Sequence, residues 1–151
     1  SSPYHEFQIQ IYVVAGRVSS RYNGPRKSVR NRLIPLRGDM GFIFHLSKQA
    51  DWEARDLDKG YLAPSLESEG FIHCSEDEEQ LLGVAHRLFA GETGLLALEV
   101  DTDLLTSPVK REAARSGVIY PHIYGPIDLN SVSGTRRILA EGDGSFILET
   151  K

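Results

Sequence analysis

Three of the five histidines, His45, His73 and His122, stand at the edge of apolar or aromatic runs, beside small, hydroxyl-bearing or turn-forming residues. His45 has Ser47 two positions on, His73 has Cys74 and Ser75, and His122 lies between Pro121 and Tyr124. In an extended chain, residues i and i+2 point to one face, so His45 with Ser47, and His73 with Ser75, can line a shared pocket. Neutral imidazoles near pH 7 suit phosphate binding or proton transfer. Cys74 would point away from His73 into the core, which argues against a Cys–His nucleophile pair. His45, His73, Cys74 and His122 are acceptable zinc ligands, yet no H-x-x-x-H or C-x-x-C spacing supports them, so a metal-dependent hydrolase is a lesser alternative and no metal is expected. The acidic run Glu76-Asp77-Glu78-Glu79 is accounted for by helix capping, and Glu67 and Glu69 fall in an expected loop. No glycine-rich phosphate loop is present. His86 flanks a helical apolar stripe and is read as structural, and His5 carries no signal.

The elements that must position these residues read as a mixed α+β pattern. Gly41-Phe42-Ile43-Phe44-His45-Leu46 is a strand, with Ser47 as the N-cap of a helix over 48–58 that Gly60 ends. Its stripe is Ala50, Ala54 and Leu57, and Trp52 lies off it, facing a neighbouring loop or pocket. Residues 61–70 read as a loop punctuated by Pro64 and Gly70. Gly70 to Ser75 is a short buried strand, and Ser75-x-x-Glu78 a capping box opening an amphipathic helix with Leu81, Leu82, Ala85, Leu88 and Phe89 on one face, closed by Gly91. Leu95 to Val100 is a buried strand, and Pro108 to Glu112 a short edge strand. Tyr120 to Ile127 is stiff and turn-forming, a platform more than a regular element. Val132 to Ala140 closes the pattern as a strand, with Phe146 to Leu148 as a last edge.

The 151 residues, 40% hydrophobic and 25% charged, are enough for one domain with its own core. A net charge of -4 gives no overall case for nucleic acid or an anionic membrane. No apolar run is long enough for a membrane span, and the single cysteine fits a reducing cytoplasm. Charge is uneven: residues 1–39 hold seven Lys/Arg against two Asp/Glu, a surplus of five, while residues 40–151 hold ten against nineteen, a deficit of nine. Residues 1–39 therefore read as a basic extension outside the core, the only stretch with a case for nucleic acid. Met40, the only methionine, is a candidate start of the domain proper, residues 40–151. Within the extension, Phe7 to Val14 alternates as a strand would, able to pair with a sheet edge.

The segments Phe42-Ile43-Phe44-His45-Leu46-Ser47 with Trp52, Ser65 to Ser75 with its Gly-Phe-Ile-His-Cys-Ser core, and Tyr120-Pro121-His122-Ile123-Tyr124-Gly125-Pro126 resemble the domain family DUF952, in the family's order. The likeness runs from about Met40 to Leu139. The resemblance implies a compact single domain with an ADP-ribosyltransferase-like fold, two small sheets with two to three helices around an NAD cleft. It further implies that His45, Ser47, His73 and Ser75 contact NAD or a related nucleotide, and that His73, His122 and Tyr124 do the chemistry. The expected activity is transfer or hydrolysis of an ADP-ribosyl or phosphoryl group, including an RNA 2′-phosphotransferase-like variant, with a non-catalytic small-metabolite or interaction module as the alternative. Such transferases place a glutamate at a third site position, where the corresponding segment here offers His122 and Tyr124 without an acid.

Overall fold

A computed structural model of the chain describes residues 41–151 and the dipeptide strand β1 (Gln10–Ile11). The remaining elements are β2 (Phe42–Lys48), α1 (Gln49–Glu53), α2 (Pro64–Glu69), β3 (Ile72–His73), α3 (Glu78–Leu88), β4 (Leu95–Asp101), β5 (Val109–Ala113), β6 (Ile119–Ile123), a 3-10 turn (Leu129–Ser131), β7 (Val132–Ala140) and β8 (Phe146–Leu148). They form two four-stranded antiparallel sheets, in the orders β1-β5-β6-β3 and β2-β4-β7-β8. The α+β expectation holds, with two sheets and three helices among the described residues. Of the expected Phe7–Val14 strand, only Gln10–Ile11 is described, paired to β5; the rest, with His5, lies outside the described residues.

Strand alternation sorts the apolar residues into two cores. Phe44 and Leu46 of β2, with Leu95 and Ala97 of β4, meet Leu81, Val84 and Ala85 of α3. Ile43 of β2, with Leu96, Leu98 and Val100 of β4, packs on Tyr61, Ile72, Cys74, Ile123 and Ile127. The second of these β2 faces also carries His45 and Ser47. Cys74 is buried in this core as expected.

The sheets are joined along the chain that follows β3. Cys74 donates its amide to Pro121 O of β6 (3.0 Å), and Ser75 then exchanges both backbone hydrogen bonds with Phe44 of β2 (2.9 and 2.7 Å).

Several expected elements are corrected. Residues 119–123 form a true strand between β5 and β3, despite Pro121. The N–H that proline lacks would face Cys74, where β3 ends and the chain turns to the other sheet, so no ladder bond is lost. The helix after β2 covers only Gln49–Glu53, buries no residue and leaves Leu57 77% exposed. It stops because the Asp56 carboxylate accepts the amides of Asp58 and Lys59 (both 2.8 Å), a local turn that competes with further helix. Ser47 lies within β2 and caps nothing. Residues 64–69 are a helix in place of the expected loop, with Pro64 in its first turn and Gly70 closing it at φ 89°. The cap of α3 is Asp77, which accepts the Gln80 amide at 2.8 Å, two residues later than the expected Ser75.

A candidate histidine–carboxylate site

β3 and β6 set His73 directly opposite His122. Their ring centroids are 5.0 Å apart and nearly perpendicular, and Phe71 packs on both rings, at 4.8 and 4.5 Å, and on Tyr124 at 5.3 Å. His45 joins them from the other sheet: its Nδ1 lies 2.6 Å from the His73 carbonyl oxygen, and because a carbonyl only accepts, Nδ1–H donates. The three histidine segments therefore converge. Ser47 bonds the Tyr61 hydroxyl at 2.8 Å, and Tyr61 stands between His45 and Trp52, which gives the half-buried indole the covering role anticipated for it. Ser75, with His73 and Cys74, lines a small depression beneath Leu46, Leu81, Val84 and Tyr120, with room for about one water molecule.

Two carboxylates missed in the sequence complete the cluster. Glu112 of β5 is fully buried; its Oε1 accepts from the Tyr124 hydroxyl at 2.5 Å and from His122 Nδ1–H at 3.2 Å. An acid therefore stands beside His122 and Tyr124, contributed by the strand that pairs with β6. Its signal lay in the hairpin register: reversal around Ser116-Gly117 sets Lys110 opposite His122 and Glu112 opposite Tyr120, on the polar-looking face of β5. Glu69, expected to be exposed in a loop, ends α2 with its side chain 22% exposed and takes the His73 Nε2–H at 3.2 Å. The i, i+4 spacing works across the bend at Gly70. The ammonium of Lys110 sits 4.6 Å from the Tyr124 ring centroid at the rim.

Burial dominates the electrostatics. It lowers His45 to about 4, outweighing the bond to His73 O, and lowers His73 to about 2, helped by the charges of His122 and His45. Burial lowers His122 too, against the opposing pull of Glu112. It raises Tyr61 to about 12, and it raises Tyr124, where the bond to Glu112 adds to the effect. The cluster is therefore three neutral imidazoles, two phenols and two carboxyl groups under an aromatic cover. Among the described residues, no group of three His, Cys, Asp or Glu side chains is placed to hold a metal ion, and His86 is exposed. No helix among them is long and apolar enough to cross a membrane.

A family model described as a protein of unknown function (DUF952) matches residues 37–135. The crystal structure of protein CC0527 from Caulobacter crescentus is 28% identical and superposes with a TM-score of 0.62, covering 70% of this chain and 93% of that one. The solution NMR structure of CC0527 gives 28% identity and a TM-score of 0.58, over 70% and 91% of the two chains. No curated protein matches.

Proposed function

This chain belongs to the DUF952 family, and we propose that its histidine–carboxylate cluster binds NAD or a related nucleotide and transfers the ADP-ribosyl group, in an ADP-ribosyltransferase-like arrangement of the two sheets. One observation carries this reading. Glu112 is fully buried, Tyr124 and His122 fix one of its oxygens, and the other has no partner among the described residues. A carboxylate held in place in a low-dielectric site stabilises positive charge developing at a ribosyl carbon as its bond to the leaving group breaks. His45 and Ser47 stand at the ribose side, and His122 holds Glu112 in orientation. His73, neutral, donates its Nε2–H to Glu69 and so orients that second carboxylate. The polar groups fit the ribosyl end of such a ligand, while the exposed Lys110 is a rim cation for its phosphates.

His73, His122 and Glu112 are all buried, so a ligand reaches them only when Phe71 or Tyr124 swings aside. The test is thermal shift and calorimetry with NAD, ADP-ribose and AMP, followed by nicotinamide release. A melting-temperature rise with NAD is expected, with release reduced about a hundredfold in Glu112→Gln while NAD affinity changes only a few-fold. The absence of any shift with all three nucleotides overturns the reading.

The enclosure itself favours a second reading, a non-catalytic small-metabolite module in which Phe71 clamps the rings. Saturable binding without nicotinamide release selects it.

A further inference from the structure

Among the described residues, three buried polar atoms of the cluster find no hydrogen-bond partner: Glu69 Oε2, Glu112 Oε2 and His122 Nε2. Their roles follow from the bonds around them. His122 spends its ring proton on Glu112 through Nδ1, which leaves Nε2 of the neutral ring a bare lone pair. The Glu69 and Glu112 carboxylates bind their donors through Oε1, which leaves each Oε2 open. All three orphans are therefore acceptors, and the donors next to them, Tyr124 and His73 Nε2–H, are already committed.

Buried acceptors left unmet are destabilising, and native proteins meet nearly all of them. What meets this set must bring N–H or O–H groups. Phosphate, sulfate or a carboxylate would bring lone pairs and negative charge against two carboxylates. The surroundings favour positive charge further: the Glu69 charge acts on the His122 ring, and the chain's own Lys110 ammonium rests against the Tyr124 face.

We propose that Glu69, Glu112 and His122 form a subsite for the cationic, N–H-rich end of a ligand, an ammonium, amidinium or guanidinium group, which enters under Phe71, and that this subsite rejects phosphate. The inference rests on the reading of the cluster as a ligand site and specifies the chemistry of the second substrate, the one that receives the transferred group. Binding of the cationic group itself requires neither NAD nor turnover.

The experiment uses the full chain with methylguanidinium or inorganic phosphate as the probe, at constant ionic strength, read by NMR of the histidine side-chain nitrogens. Methylguanidinium is expected to shift His122 Nε2 saturably and phosphate to leave it in place. Glu69→Gln, a near-isosteric change at a partly exposed residue, is expected to weaken methylguanidinium at least tenfold with little change in melting temperature, and Glu112→Gln to weaken it further. If Glu112→Gln does not fold, Glu69→Gln carries the comparison. No saturable shift at His122, an equal response to phosphate, or undiminished affinity in Glu69→Gln overturns the proposal. A nucleotide-induced thermal shift without a methylguanidinium response defeats this inference alone, and the reverse result defeats the nucleotide reading alone.

Discussion

His73 and His122 oppose each other across the β3–β6 ladder with ring centroids 5.0 Å apart, and each is backed by a different glutamate, Glu69 behind the first and Glu112 behind the second. One side of the pair is built by the end of a helix and the other by a neighbouring strand. Burial keeps both rings neutral: at His73 the charges of His122 and His45 add to it, while at His122 it prevails over the opposing pull of Glu112 and Glu69.

That neutrality sets a pH dependence. His45 and His73 have folded-state values below the ordinary 6.5, so the unfolded chain binds more protons once pH drops past about 6.5. Their contribution to stability is complete above that point and declines as pH falls, for His45 until about 4 and for His73 further. Each neutral histidine removes at most about 1.4 kcal/mol per pH unit in this window. Urea unfolding between pH 8 and pH 4.5 is expected to show a plateau above pH 7 and a steep loss below 6. A stability that rises on acidification would contradict the buried neutral imidazoles.

Glu112→Ala would strand the Tyr124 hydroxyl and His122 Nδ1–H at the same time. The expected loss is about 2–4 kcal/mol, because both donors lose their acceptor in a buried site. Tyr124→Phe removes one donor and leaves His122 in place, and should cost about 1–2 kcal/mol. Denaturant titrations of the two variants check the ordering.

Two glycines with similar backbones should respond differently to substitution. Gly60 has φ 96°, and a Cβ there would meet the Ile127 carbonyl oxygen at 2.5 Å, the same oxygen that receives the Tyr61 amide at 2.9 Å. Gly91 has φ 85° with nothing within 4 Å. Gly60→Ala is expected to destabilise by more than about 3 kcal/mol, combining strain with a backbone clash, and Gly91→Ala by about 1 kcal/mol from conformation alone. Melting temperatures of the pair separate the two contributions.

Cys74 is buried and its thiol is pushed well above the ordinary range, first by burial and then by the nearby Glu76 charge. It should react with a disulfide reagent such as DTNB only as fast as the protein opens, and at full speed in denaturant. Rapid modification under native conditions would place it outside the core.

Much of this architecture was legible in the chain because its periodicity is strong. β2, β4 and α3 each carry apolar residues at the spacing their geometry demands, and these elements and β7 formed close to the expected span. The misreadings share a cause. At Asp56 and at Pro64, local side-chain and backbone chemistry decided where a helix stops or starts, and apolar spacing carries no record of it. Pro121 looked incompatible with a strand because the place where β3 leaves its neighbour is a tertiary fact. Glu112 was hidden for the same reason. In Val109-Lys110-Arg111-Glu112-Ala113 the Lys/Glu face resembles a solvated one, and only the approach of His122 and Tyr124 takes Glu112 out of solvent while Lys110 stays exposed.

The paired backbone bonds between Phe44 and Ser75 have a kinetic meaning. They are the main-chain stitch by which the segment leaving one sheet is sewn to the edge of the other, and the His45 contact to His73 O lies beside them. Neither half can loosen there without the other losing a pairing partner, so the two halves should unfold as one cooperative unit. The Phe44 and Ser75 amides then belong to the slowest-exchanging class in hydrogen–deuterium exchange, released together by global opening alone.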